Sequence, residues 1–333
     1  MGRGAMQTAW LAWRAAERDI VRMVARIEKA IPVVQCASGC FHLFLRVAGP
    51  CFVCLALSLM GFGVYVYFDI LCPILLQKMR YGGAMVCIAT FVGVIILFNV
   101  LYNYAKAICV DPGRPPTYEK VLEDHASMIE SGSAARPRPC RRCELSKPHR
   151  AHHCSVCKRC VLKMDHHCPW INNCVGFGNY RYFMLFMIWM WVLCVYGMLL
   201  FWPFLTDALG PRHFTSYRNG CMQSCRKYIT FVFTLAACIA AVLCMMAGFH
   251  LYLVLTNQTT IEFQSNLLEK REARRNGAVF VAPWNLGRRK NFQEVFGPSN
   301  ILLGRWLFSW WAPGPAGDGL TFPLNPRLPC GSA

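Results

Sequence analysis

The sequence predicts an all-α polytopic membrane protein in which four transmembrane helices carry a small cysteine-rich cytosolic domain. Three observations predict it. Of 333 residues, 55% are hydrophobic and only 16% charged, where a soluble domain averages about 25% charged. Four long apolar runs each reach the roughly 20 residues that a helix needs to cross a bilayer core. The Lys and Arg residues behind the net charge of +18 fall in blocks between those runs, where they act as topology signals and headgroup contacts. That placement argues against a nucleic-acid partner, which would require the charge gathered on one soluble face.

The runs lie near Cys51–Leu76, Ala84–Cys109, Tyr182–Leu205 and Tyr228–Leu255. Their near-complete lack of interior charge sets them apart from buried helices of a soluble protein. Val33–Val47 is weaker, since it holds His42 and Arg46 and ends at Gly49-Pro50; it reads as an interfacial helix. Outside the spans, the first fifty residues carry seven Lys and Arg, the loop 110–181 twelve and the tail after 255 nine, against two and four in Gln77–Gly83 and Thr206–Lys227. The positive-inside rule therefore puts both termini and the long loop in the cytosol. The expected organisation is a cytosolic or interfacial segment 1–50, helices over 51–109, a cytosolic domain 110–181, helices over 182–255 with a lumenal loop 206–227, and a cytosolic tail 256–333. Asn257-Gln-Thr matches a glycosylation sequon but stays unmodified on the cytosolic side. Cys221 and Cys225 face the lumen, where a disulfide would close a cramped ring. The first thirty residues mix charge with apolar groups and give no cleavable signal peptide. Neither Met6 nor the Cys330-Gly-Ser-Ala terminus fits a lipidation motif.

The chemistry concentrates in the middle loop. Seven of the 20 cysteines fall between Cys140 and Cys174, with His149, His152, His153, His166 and His167 among them. In a compartment that keeps thiols reduced, such a cluster predicts metal ligands or catalytic groups rather than disulfides. Cys140/Cys143, Cys154/Cys157 and Cys157/Cys160 have the two-residue gap that brings two sulfurs to one tetrahedral ion. Loops this short bury too little apolar area to fold unaided, and zinc supplies the missing free energy, roughly 10–16 kcal/mol per structural site. Two tetrahedral zincs need eight ligands, so six cysteines and two histidines leave one cysteine over, and spacing alone does not say which. Cys168 ends Asp165-His166-His167-Cys168. An adjacent imidazole there can take the thiol proton while a carboxylate orients it.

From Cys140-x2-Cys143 the stretch continues through Lys147-Pro148-x-Arg150, His153-Cys154, Cys157, Cys160, Asp165-His166-His167-Cys168-Pro169-Trp170, Asn172, Asn173-Cys174-Val175-Gly176, Asn179 and Phe183. Asp111-Pro112-Gly113 follows the second run, Thr259-Thr260-Ile261-Glu262 follows the fourth, and Asn291 lies in GRRKNFQEVFG. In these residues the chain resembles the DHHC protein S-acyltransferases (palmitoyltransferases), with no departure across the cysteine-rich stretch. The resemblance implies one structural zinc on Cys140, Cys143, His153 and Cys160, a second on Cys154, Cys157, His167 and Cys174, and a free Cys168. It implies that Cys168 attacks the thioester of a long-chain acyl-CoA, usually palmitoyl-CoA, and passes the acyl group to cysteines of substrate proteins. His166 is then the base, Asp165 its orienter, and His167 is held by zinc.

On the same footing, Lys147 and Arg150 are expected at the CoA phosphates, and Trp170 and Phe183 at the mouth of the acyl cavity. Thr260 is expected to hydrogen-bond near Asp165, with Glu262 beside it. Asn291 would pin the tail to the membrane core, and Asp111 would fix the exit from the second span. The family points to the Golgi or the endoplasmic reticulum. The alternative is a membrane-anchored zinc-finger scaffold or ubiquitin ligase, which would leave no surplus cysteine beside His and Asp. An ion transporter would need ionisable residues within the spans, and Asp69 and Lys106 both lie near span ends.

Overall fold

In hydrocarbon every backbone group must be satisfied internally, and a stretch such as GAMVCIATFVGVIILFNVLYNYAKAIC can do that only as a helix. The structure is a computed structural model, and it describes residues 32–78, 83–117, 120, 138–143, 145–209, 221–298, 304–310 and 314–328. Helix α1 (Pro32–Val66) passes through a π-turn, Tyr67–Leu71, into α2 (Cys72–Lys78). Then come α3 (Gly83–Cys109), α4 (Tyr180–Leu209) and α5 (Cys221–Thr256). Among the described residues, four helices are long and apolar enough to cross a membrane: Cys40–Leu76, Gly83–Cys109, Tyr180–Leu205 and Arg226–Thr256. The chain is a multi-pass integral membrane protein. The side chains of Cys221 and Cys225, the first 31 residues and Cys330 lie outside the described residues.

The outer faces of these helices are strongly apolar. Ile88, Phe91, Leu199 and Met245 are 63%, 66%, 69% and 70% exposed, and continuous apolar exposure of that kind marks a surface made for lipid. Inside, α4 is central and packs on α3 and α5. The helix α1 does not end at Gly49-Pro50, where the sequence places the end of an interfacial segment; it runs through without a break. The reason lies in packing: Gly49 is buried against Asn172, so closely that a Cβ there would sit 2.1 Å from Asn172 Oδ1. Contact with the Pro169–Ile171 turn holds this part of the helix in register.

The tail returns to the bundle. Asn99 and Asn103 are buried in α3, where Asn103 Oδ1 accepts from Ser309 Oγ at 2.6 Å and Asn99 Oδ1 from Trp310 Nε1 at 3.3 Å. Trp189 Nε1 donates to Leu307 O at 3.0 Å. Trp306 packs edge-on against Phe292 in α7 (Arg288–Phe296). The Trp-rich segment thus closes buried polar groups of the second span, and Trp311 lies outside the described residues.

Between α3 and α4 the cysteine-rich domain consists of three antiparallel hairpins: β1 (Arg138–Pro139) with β2 (Ser146–Lys147), β3 (His152–Cys154) with β4 (Arg159–Val161), and β5 (His166–Cys168) with β6 (Asn173–Val175). Two-stranded hairpins this short are not stable alone. Asparagines bind them to the membrane helices. Asn173 Nδ2 donates to the carbonyls of Ala107, Ile108 and Val110, and Asn179 Nδ2 to Ala107 O and Cys174 O. Ala107 O and Ile108 O are among the carbonyls that the C-terminal end of α3 leaves without helical partners. Asp111 completes the exit from that helix: Oδ1 accepts from Gly113 N–H, and Oδ2 meets Arg159 of β4 at 2.7 Å.

Candidate active site and metal centres

Side chains alternate faces along a strand, and that alternation sorts this domain's ligands. His153 and Cys154 are neighbours in β3, yet they serve different clusters. Cys140, Cys143, His153 and Cys160 bring their ligand atoms within 4.8 Å of one another, and so do Cys154, Cys157, His167 and Cys174. Hairpin register brings one pair of each cluster together, since His153 faces Cys160 across β3–β4 and His167 faces Cys174 across β5–β6, at 4.0 and 3.7 Å. In the first cluster Cys143 Sγ is 3.2 Å from Cys160 Sγ and 3.5 Å from His153 Nδ1, and Cys140 Sγ is 3.7 Å from that nitrogen. In the second, Cys157 Sγ lies 3.4 Å from Cys174 Sγ and 3.3 Å from His167 Nδ1. A tetrahedron of about 2.3 Å metal–sulfur bonds has edges near 3.8 Å. Three thiols and one imidazole per cluster, with no oxygen acceptor among them, fit zinc in donor chemistry and in size.

The two sets are copies. Cys140, Cys143, His153 and Cys160 recur as Cys154, Cys157, His167 and Cys174, each fourteen positions on. Cys168 is the next step of the same series from Cys154, but Ile171 stands where its companion cysteine would be. The surplus thiol therefore has the spacing of a first ligand but none of the three partners that would follow, since Ile171, Arg181 and Ile188 stand at their positions.

Alternation also separates Cys168 from both clusters. In β5, His166 and Cys168 share one face while His167 turns to the second cluster. Cys168 is buried in an apolar cluster with Met60 of α1, Tyr104 of α3, Met184 of α4 and Val254 of α5. All four membrane helices therefore contribute to the cluster that buries it. Tyr104 fixes the residues that follow by donating its hydroxyl to Trp170 O at 2.6 Å.

His166 Nδ1 lies 2.7 Å from Asp165 Oδ2. Burial disfavours its charged form, but hydrogen bonds with Asp165 and Cys168 outweigh it and carry the pKa up to about 9. Asp165 itself is pulled down despite burial, chiefly by its bond to His166. Thr260, which opens α6 (Thr260–Arg275), gives its backbone N–H to Asp165 Oδ1 at 2.9 Å and its hydroxyl to Asp165 O at 2.5 Å. The expected link between Thr260 and the acidic residue is present.

Glu262 and Arg150 belong together. Glu262 closes a capping box with Thr259 at the start of α6 and takes a two-pronged contact from Arg150, at 2.7 and 2.8 Å. Arg150 also reaches Asn257 Oδ1, Asn257 O and Glu294 Oε1 at 3.1, 3.0 and 3.4 Å. Its guanidinium lies against the rings of Trp284 and Phe322, which also pack on each other. This corrects the expectation that Arg150 meets CoA phosphates: the side chain is 1% exposed and its donors are taken by carboxylates and carbonyls. It joins the cysteine-rich domain to the end of α5, to α6, to α7 and to the tail. Lys147 is exposed. Removing Arg150 leaves the part-buried Glu262 without its cation, while Glu294 keeps Lys163, so Arg150→Leu should cost about 3 kcal/mol of stability, read as a lowered melting temperature. An unchanged melt with weakened acyl-CoA binding would restore the phosphate role.

Phe183 is buried with its ring 5.3 Å from that of His166, and Trp170 is half exposed with its ring 5.0 Å from that of Phe52. Asn291 holds the tail by donating to Leu255 O and Asn285 Oδ1 while accepting from Leu286 N–H. Two residues of this site escaped the sequence reading. Tyr180 of α4 and His250 of α5 are buried beside the Asp165–His166 pair and bonded to each other at 2.9 Å. A histidine inside an apolar span was the available signal.

Fold and site together define a multi-pass membrane protein that presents an unligated thiol, beside a His–Asp pair, at the junction of its spans. Residues 133–267 match the family described as DHHC palmitoyltransferase. The chain is 32% identical over 290 residues to palmitoyltransferase ZDHHC2 of Mus musculus, covering 80% of this chain and 73% of that protein. It is 37% identical over 216 residues to probable protein S-acyltransferase 16 of Arabidopsis thaliana, covering 64% and 71%. With palmitoyltransferase ZDHHC15A of Danio rerio it shares 38% identity over 190 residues, covering 57% and 52%. The chain belongs to the DHHC palmitoyltransferase family, and the activity that goes with membership is protein S-acylation.

Proposed function

We propose that Cys168 is the nucleophile and carries the acyl group as a thioester between acyl-CoA and a substrate protein's cysteine. The observation that carries this reading is that Cys168 stands outside both four-ligand clusters, beside His166, in an apolar cluster to which all four spans contribute. His166, held by Asp165 and through it by Thr260, draws the thiol proton. The Cys168 sulfur bonds the thioester carbon, the carbon–sulfur bond to CoA breaks, and the proton on His166 passes to the CoA sulfur. In the second half a substrate thiol gives its proton to His166, its sulfur takes the acyl group, and Cys168 leaves as thiolate. Zinc on the two Cys3His sets would brace the hairpins; with four protein ligands each, neither set keeps a position open for water.

A membrane setting suits this chemistry. Each methylene moved out of water is worth about 0.8 kcal/mol, so a C16 chain is at home between the spans while the CoA phosphates stay in water. Phe183 and Trp170 flank the entrance on this reading, and the exposed Lys147 meets a phosphate. The co-substrate is a long-chain acyl-CoA such as palmitoyl-CoA, and the partners are proteins with cysteines near the membrane face. The excess of Lys and Arg in the loop 110–181 and the tail supports cytosolic placement of both termini, in the Golgi or endoplasmic reticulum. A glycosylation reporter inserted in 206–227 should be modified, and one in 121–137 should not.

Incubating the purified chain with palmitoyl-CoA tests the function. Stoichiometric label that hydroxylamine releases, with one free CoA per label, is expected. Zinc binding without label would favour the scaffold or ubiquitin-ligase alternative.

A further inference from the structure

A second imidazole stands beside the Asp165–His166 pair with no task in the scheme above. His250 is 2% exposed, and one of its ring nitrogens lies within 4.8 Å of ligand atoms of both Asp165 and His166. Its ring is 5.8 Å from that of His166 and 5.2 Å from that of Phe183. Its Nδ1 is 2.9 Å from the hydroxyl of Tyr180. A buried phenol has one proton to place, and His250 Nδ1 is the only acceptor that hydroxyl meets among the described residues. Tyr180 therefore donates, Nδ1 accepts, and the imidazole carries its own hydrogen on Nε2.

That Nε2–H makes no hydrogen bond among the described residues. A donor left open on an otherwise buried ring, beside the His166 that serves Cys168, is available to a group that arrives with substrate. When Cys168 attacks a thioester, negative charge develops on the carbonyl oxygen. We propose that His250 donates its Nε2–H to that oxygen, with Tyr180 fixing the tautomer that makes this possible.

The step balances without transfer of the His250 proton. As the Cys168 sulfur bonds the carbonyl carbon, the C=O π pair moves onto oxygen and is held by the Nε2–H. As the pair returns, the bond to the CoA sulfur breaks and that sulfur takes the proton from His166. The same donor serves the second transfer, in which the oxygen belongs to the Cys168 thioester. A donor fixed in a dry site before reaction needs no reorganisation at the moment charge forms, and removing one typically lowers the rate by about 10²–10³-fold.

The inference rests on Cys168 being the nucleophile. Single-turnover acylation by palmitoyl-CoA, measured on the full chain in lipid nanodiscs, tests it. His250→Leu should lower the maximal rate about 100-fold and move the half-saturating acyl-CoA concentration by no more than about twofold. His250→Gln, whose amide N–H reaches the Nε2 position, should regain at least about tenfold of that loss. His250→Asn keeps an acceptor for Tyr180 but no donor at Nε2, and should stay as slow as His250→Leu. Tyr180→Phe, which frees the tautomer, should slow the reaction about three- to tenfold. Rescue by Asn rather than Gln would assign His250 a purely structural role and overturn the proposal. So would an unchanged maximal rate, or a loss confined to acyl-CoA affinity. If His250→Leu fails to retain zinc, the Gln–Asn pair decides the matter. Acylation that survives Cys168→Ser would instead overturn the underlying reading, whatever the His250 variants do.

Discussion

Cys168→Ser is expected to abolish both self-acylation and transfer, lowering each by about 10³-fold or more. The variant keeps a hydroxyl where the sulfur was, so packing in the apolar cluster around Met60, Tyr104 and Val254 changes little. What is lost is a thiol that His166 can ionise: a serine hydroxyl releases its proton far less readily and makes a poorer leaving group in the second transfer. Because Cys168 stands outside both four-ligand clusters, zinc content should stay at two per chain. Loss of activity with intact metal would separate chemistry from folding. Full acylation of the serine variant, or loss of zinc along with activity, would contradict the assignment.

The second large effect is expected at the ligands. Cys143→Ser or His153→Ala should drop bound zinc from two ions to one or fewer and unfold the hairpins β1–β2 and β3–β4. Structural zinc sites in small domains supply roughly 10–16 kcal/mol, comparable to the whole stability of an ordinary domain. Since Cys154 sits between His153 and Ser155 and serves the other cluster, disturbance at the first site should spread to the second. Metal analysis with proteolysis of the purified variants measures both. Zinc still at two per chain would show that the ligand set is wrong.

The four spans were legible because hydrophobic length is a strong signal, and the ligands because cysteine and histidine are rare in such density. The division of those ligands lies in the fourteen-residue offset and in strand alternation. Arg150 shows where sequence misleads. An arginine in a basic loop suggests a phosphate contact, and only the fold reveals that Glu262, Asn257 and Glu294, more than a hundred residues away, converge on it. The same holds for Gly49-Pro50, which locally reads as a helix end; Asn172 packs on Gly49 and the helix continues. Tyr180 and His250 were hidden because a polar side chain in an apolar run has no visible partner until the spans are placed side by side.

The account turns on which sulfur carries the acyl group, and peptide mapping by mass spectrometry after a brief exposure to palmitoyl-CoA measures that directly. The predicted result is a single hydroxylamine-labile palmitoyl adduct on the peptide containing Cys168, with the six cysteines of the two clusters unmodified. An adduct on any of those six, with Cys168 unmodified, would contradict it.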